Sequence, residues 1–174
     1  MKPLFLIGYM GCGKTTLARR IARRLGVEAA DTDALVEQRE GASVADLFHY
    51  VGEERFREAE RAALEELIAR GARVISTGGG LPTWRDNMER MNAVGLTVYL
   101  RRPAGRIAAR LSPFGRRKRP RLRGLNDEEL VAFMERDMAA REPYYARAQL
   151  TLDCETLSDN EAVSIIVNQL RIKN

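Results

Sequence analysis

The chain has 174 residues, of which 45% are hydrophobic and 30% charged, with a formal net charge of +5. That size and balance suit one ordinary domain with enough apolar material for a core, and exclude disordered and collagen-like chains. No apolar run approaches the ~20 residues that a membrane-crossing helix requires.

The opening MKPLFLIGYMG starts like a signal peptide, with one lysine and a short apolar run. The run ends within a few residues in a glycine-rich loop and offers no cleavage-type site. Leu4 to Ile7 is therefore expected to be a strand buried on both faces of a cytoplasmic protein. From Thr16 the pattern turns helical: Leu17, Ile21 and Leu25 fall on one face, and Gly26 ends it. A weak strand at Val27 to Ala30 leads into Asp31-Thr32-Asp33. Ser43 with Asp46 resembles a capping box opening a short helix, and a long helix is expected from about Glu53 to Arg70, closed by Gly71.

Val74 and Ile75 form another buried strand that runs into Ser76-Thr77-Gly78-Gly79-Gly80. A helix near Trp84 to Met91, a strand at Leu96 to Leu100 and a helix from Pro103 to about Leu111 follow. The stretch Ser112 to Gly124 holds Pro113, Gly115 and Pro120 among basic residues and has no periodicity, as in a mobile lid. Asn126 with Glu129 caps a helix to about Ala140, and a strand near Leu150 to Leu152 and a helix from about Asn160 to Arg171 complete the chain.

This alternation predicts an α/β fold: a three-layer αβα sandwich on a parallel sheet of about five strands, with no linker dividing the chain. Ligands of such sheets bind at the carboxyl ends of the strands, so the loops there should carry the chemistry.

Gly8 to Thr16, GYMGCGKTT, fits the P-loop pattern and lies between a predicted strand and a predicted helix. Its glycines free backbone N–H groups to face phosphates, Lys14 supplies a charge for them, and Thr15 offers a hydroxyl to magnesium. Asp31 and Asp33 alternate at the end of the second strand, so one could face the magnesium shell and the other an acceptor hydroxyl. Either could instead be a helix N-cap. The triple glycine, Gly78 to Gly80, either admits a ligand to the backbone or is a plain turn. Arg57 and Glu60, three apart on a helix, either pair in solvent or form a buried guanidinium held toward a ligand carboxylate.

The cluster Arg116, Arg117, Lys118, Arg119, Arg121 and Arg123 lies in one segment without an aromatic stacking platform, which argues against nucleic acid as a ligand. Cys12 and Cys154 lack metal-type spacing, and His49 is the single histidine, so neither a disulfide framework nor a zinc site is expected.

In order and spacing, GYMGCGKTT, DTD at 31–33, ADLFHYVGEERFREAE at 45–60, VISTGGG ending at Gly80, Arg119-Pro120 and REPYY from Arg141 together resemble shikimate kinase. The resemblance implies a P-loop kinase fold over residues 1–174, with the P-loop at 8–16, a substrate-binding region at about 33–61 and a lid at about 112–124. It implies transfer of the ATP γ-phosphoryl group to the 3-hydroxyl of shikimate, with Mg2+, in aromatic amino acid biosynthesis; with no coiled-coil repeat or apolar patch readable, a cytoplasmic monomer without nucleic-acid or membrane partners is expected. Gly11, Cys12, Gly13, Lys14, Thr15, Thr16, Arg110 and Arg119 would then bind ATP, and Thr15 and Asp31 would hold the metal. Lys14, Asp33 and the lid's Arg119 would be catalytic. Asp33, Phe48, Phe56, Arg57, Glu60, Gly78, Gly79, Gly80 and Arg141 would line the acceptor site, with Glu60 positioning Arg57. The alternatives are a related kinase of another small hydroxy acid such as gluconate, or a nucleotide-dependent switch protein without catalysis.

Overall fold

The structure, a computed structural model, describes residues 2–112, 115–116 and 120–172. Five strands form one sheet: β1 (Leu4–Ile7), β2 (Ala29–Asp31), β3 (Val74–Ser76), β4 (Leu96–Arg101) and β5 (Leu150–Asp153). Their order is β2-β3-β1-β4-β5 and every pairing is parallel, with Leu4 opposite both Val74 and Leu96. All four residues of β1 are fully buried, so both faces of the central strand are covered and its unbroken apolar run is explained. The expected three-layer α/β architecture is present.

Among the described residues, seven α-helices connect and cover the strands: α1 (Lys14–Leu25), α2 (Thr32–Glu40), α3 (Val44–Ala69), α4 (Asn87–Val94), α5 (Ala104–Arg110), α6 (Asp127–Tyr145) and α7 (Asp159–Ile172). Helix α1 buries Leu17, Ala18, Ile21 and Ala22 along one stripe and packs against β2, β3 and α7. Gly26 ends it in the left-handed conformation, as the sequence predicts. Ser43 caps α3 by accepting from the Asp46 amide. Within α3 the backbone departs from helical geometry at Gly52, so the short and long helices expected there are two arms about one glycine.

Three expectations need correction. β2 ends at Asp31, so Asp33 lies in the first turn of α2 and does not alternate with Asp31 along a strand. The helix expected at Trp84 to Met91 is a 3-10 turn at Leu81–Thr83 followed by α4. Helix α6 runs to Tyr145 rather than to about Ala140: Pro143 sits within its last turn, and the buried Tyr145 docks the extension. Within the expected lid segment, the described residues include a 3-10 turn, Pro120–Leu122, whose Leu122 is buried.

Candidate active site

The loop between β1 and α1 wraps the start of a helix, with Gly13 as its N-cap in the left-handed region. First-turn amides of such a helix point outward and attract anions. Lys14 folds back over the loop, where its Nζ donates to the carbonyls of Gly8 at 2.8 Å and Tyr9 at 2.9 Å. Beside it, Thr15 Oγ1 donates to Asp31 Oδ2 at 3.0 Å and lies 3.3 Å from Ser76 Oγ. These three oxygen groups come from α1, β2 and β3, at the carboxyl edge of the sheet. An all-oxygen set with one carboxylate and two hydroxyls fits a hard cation that keeps water and phosphate ligands. Asp31 also caps α2, accepting from the amides of Asp33 and Ala34. Its cap and its approach to Thr15 use different carboxylate oxygens.

Gly78, Gly79 and Gly80 follow β3 after Thr77, with Gly79 close to the backbone of this loop at Gly8 and Met10. The N–H of Gly78 donates to Thr32 Oγ1 at 2.8 Å, tying the DTD segment to the glycine run. A methyl carbon at Gly78 would collide with Oδ1 of Asp33 and Oε1 of Glu60, and one at Gly80 would collide with the Arg57 guanidinium. At Gly79 the neighbours would be the Met10 amide at 3.3 Å and Arg141 Nη1 at 3.5 Å. Four side chains from three helices thus converge on three consecutive glycines.

Arg57 donates to Glu60 Oε2 at 2.7 Å and to Glu53 Oε1 at 3.1 Å. Glu60 is 1% exposed, which removes the solvated-pair reading of this i,i+3 spacing. Phe48 and Phe56 pack at a centroid distance of 4.4 Å, with the Arg57 guanidinium 5.5 and 5.7 Å from their rings. The aromatics thereby limit where this cation can swing. Arg141 is held by Asp137 at 3.0 Å.

Glu60 is buried, and Asp33 is half-buried with its Oδ1 enclosed, so each resists ionisation. Burial, then the charge of Asp31, pushes the Asp33 carboxyl up to about 6 despite the opposing pull of Lys14. Burial, then Asp33, pushes Glu60 up to about 7 against the pull of Arg57. Asp33 Oδ1 is buried with no hydrogen-bond partner among the described residues. A carboxylate with a free lone pair beside an open glycine shelf can accept a proton from a bound alcohol.

Arg110 shares a cleft with Cys12 and Gly13 of the β1–α1 loop, Thr16 of α1, Leu157 of the loop after β5 and Asp159 at the start of α7. Gly11 lies against Ile107 of α5. Cys12 and Cys154 are free thiols buried in the protein. Arg119 lies outside the described residues. The residue pattern did not single out Thr32, Ser76 as a partner of Thr15, or Asp137. Of these, Asp137 carried a signal, its position one turn before Arg141.

A family model described as shikimate kinase matches residues 10–171. The chain belongs to the shikimate kinase family. A curated shikimate kinase of Parabacteroides distasonis is 42% identical over 170 residues, covering 98% of each chain. The crystal structure of shikimate kinase from Bacteroides thetaiotaomicron superposes with a TM-score of 0.88 at 39% identity, covering 98% of each chain. That of the Acinetobacter baumannii shikimate kinase in complex with shikimate superposes at 0.86 with 32% identity, covering 100% of this chain and 95% of that one. Like other shikimate kinases, this chain is an ATP-dependent phosphotransferase with shikimate as acceptor. Among the described residues, no helix is long and apolar enough to cross a membrane.

Proposed function

We propose that the glycine shelf is the acceptor site, that the β1–α1 loop holds ATP, and that Asp33 lies between them as the base that takes the 3-hydroxyl proton of shikimate. The convergence of Asp33, Arg57, Glu60 and Arg141 on Gly78 to Gly80 carries this reading. Shikimate is a small ring with one carboxylate and three hydroxyls. Two guanidiniums can fix the carboxylate bidentately, and that anchor sets which hydroxyl meets Asp33. Glu60 and the two phenylalanines hold Arg57 in place, and the bare glycine backbone accepts the ring.

Cys12, Gly13 and Thr16 line the phosphate end of the nucleotide site, with Gly11 in the same loop and Arg110 farther along the cleft. Lys14 binds the β and γ phosphates. Thr15 and Asp31, with Ser76 beside them, would hold Mg2+, which when bound supplies positive charge to the phosphate oxygens. Phosphoryl transfer depends mainly on positioning and charge neutralisation, which this arrangement supplies by fixing donor and acceptor on opposite sides of Asp33. Arg119, in the segment at about 112–124, would add a further positive charge as that segment closes and excludes water.

Residues 1–174 act as one kinase domain in this reading, a monomer in the cytoplasm. Two cations of the basic segment have protein partners, Arg116 with Asp127 at 2.6 Å and Arg121 with Asp137 at 3.6 Å, which supports a role other than nucleic-acid binding.

Purified protein should release ADP from MgATP only slowly until shikimate is added, and gluconate should give no stimulation. Equal stimulation by gluconate would favour the other-acceptor reading, and none by either would favour a nucleotide switch. Gly80→Ala tests the shelf itself. The new methyl must displace the Arg57 guanidinium. Loss of one charged hydrogen-bonding anchor is worth about 1.5–3 kcal/mol, so the KM for shikimate should rise roughly 10–150-fold with the KM for ATP nearly unchanged. An unchanged KM for shikimate would separate Arg57 from the acceptor.

A further inference from the structure

Helix α6 carries a side-chain network that the proposed chemistry leaves unexplained. Asp137 lies one turn before Arg141, and both side chains are almost enclosed, at 12% and 13% exposure. Arg141 donates to Asp137 Oδ1 at 3.3 Å and forms an ion pair with Oδ2 at 3.0 Å. The same carboxylate accepts a 2.8 Å hydrogen bond from the hydroxyl of Tyr9, which belongs to the phosphate-binding loop. The Arg141 guanidinium also lies over the Tyr9 ring, 5.3 Å from its centroid. Arg121, from the far end of the basic segment, reaches Asp137 Oδ1 at 3.6 Å.

A second link runs through Tyr145, one turn after Arg141. Its hydroxyl donates to the Gly79 carbonyl at 2.5 Å, so the helix that carries Arg141 is also pinned to the glycine shelf. Its ring packs on Tyr99, whose hydroxyl donates to Glu142 at 2.7 Å. Burial, then the bond to Asp137, raises the Tyr9 hydroxyl well above its ordinary range, so it stays a donor at every working pH. Asp137 thus receives bonds from the nucleotide loop and from an arginine at the acceptor shelf, and its two oxygens leave neither partner free to shift alone.

We propose that Asp137 is a positioning residue that couples the two substrate sites: it holds Arg141 for the acceptor carboxylate and, through Tyr9, ties that arginine to the loop that wraps the nucleotide phosphates. The inference rests on the reading of Arg141 as a carboxylate anchor. Nucleotide binding orders the loop, the loop steadies Asp137 through Tyr9, and Asp137 steadies Arg141. Linkage requires the reverse effect to be of equal size.

Titration calorimetry tests this with shikimate as probe, with and without saturating AMP-PNP and MgCl2. The parent protein should bind shikimate about 5–20-fold more tightly when the nucleotide analogue is present. Tyr9→Phe removes one hydroxyl and keeps the ring, and it should cut that factor to about two or less. Asp137→Asn should do the same and also weaken shikimate binding about tenfold in the absence of nucleotide. The double variant should lose no more coupling than either single one. Measured from the other side, the affinity for AMP-PNP should respond to shikimate by the same factors.

A parent protein without coupling, or variants that are less stable to heat yet keep the full factor, would overturn the proposal, since a merely structural network predicts the latter. Arg141→Ala separates it from the reading beneath it. If that variant binds shikimate normally, the carboxylate anchor itself is wrong. If it binds weakly while Tyr9→Phe and Asp137→Asn keep full coupling, only the role of Asp137 fails.

Discussion

Replacing Asp33 by Asn should lower kcat by about 10²–10⁴-fold, the usual contribution of a positioned general base, with the affinity for ATP changed only a few-fold. The same substitution should make the ligand-free protein more stable at pH 8. The native carboxyl is buried beside Asp31 and Glu60, with one oxygen unpartnered among the described residues, and its pKa is raised from 3.8 to about 6. The folded state therefore binds a proton more tightly than the unfolded chain does. Below about pH 4 both states hold it and the group is neutral to stability in its ionisation. As pH rises from about 4 through 6 the folded state must come to carry a charge beside Asp31 in a half-enclosed site, and stability falls.

A shift of about two pH units corresponds to roughly 3 kcal/mol at most. Asparagine does not titrate, so the stability difference between variant and parent should be small near pH 4, grow through about pH 6 and then level off to pH 8. Each kcal/mol recovered should raise Tm by about 2–4 °C in a chain of this size. Thermal scans across that range, beside steady-state kinetics, check both halves. A variant that loses nucleotide affinity as severely as turnover would remove Asp33 from the acceptor.

Lys14→Met should reduce kcat by about 10²–10³-fold or more, the cost of removing one preorganised positive group from the transferring phosphate. Methionine keeps much of the length and apolar stem, so the fold should survive. The lysine is only 8% exposed, and its ammonium rests on two carbonyls of its own loop, in reach of anything the loop encloses. Acceptor-stimulated ADP release is the readout. A rate near that of the parent would contradict the phosphate role.

Much of this arrangement was legible because it follows from local pattern. The apolar runs at Leu4 to Ile7 and Val74 to Ile75, the helical stripe of α1 and the alternation of elements specify a parallel sheet, and the sheet specifies that chemistry gathers at its carboxyl edge. What local pattern could not supply was burial. Arg57 and Glu60 are spaced like many solvated pairs, and only their packing under the glycine shelf distinguishes them. Asp137 and Arg141 are likewise an ordinary i,i+4 pair until Tyr9 arrives from 128 residues earlier in the chain.

Helix ends failed for a related reason. Pro143 reads as a terminator, but Tyr145 gains a buried place and a bond to Gly79, and this tertiary contact carries α6 onward. The position of Asp33 turned on Asp31, which caps α2 and starts the helix two residues before a simple strand pattern would end.

The most direct measurement is a crystal structure of the protein with shikimate, MgCl2 and AMP-PNP. The account predicts the shikimate carboxylate in hydrogen-bond contact with Arg57 and Arg141, the ring against Gly79 and Gly80, and one hydroxyl about 3 Å from the Asp33 carboxylate on the side of the phosphate loop. Shikimate seated away from the glycine shelf, or turned so that its carboxylate faces the nucleotide, would contradict it.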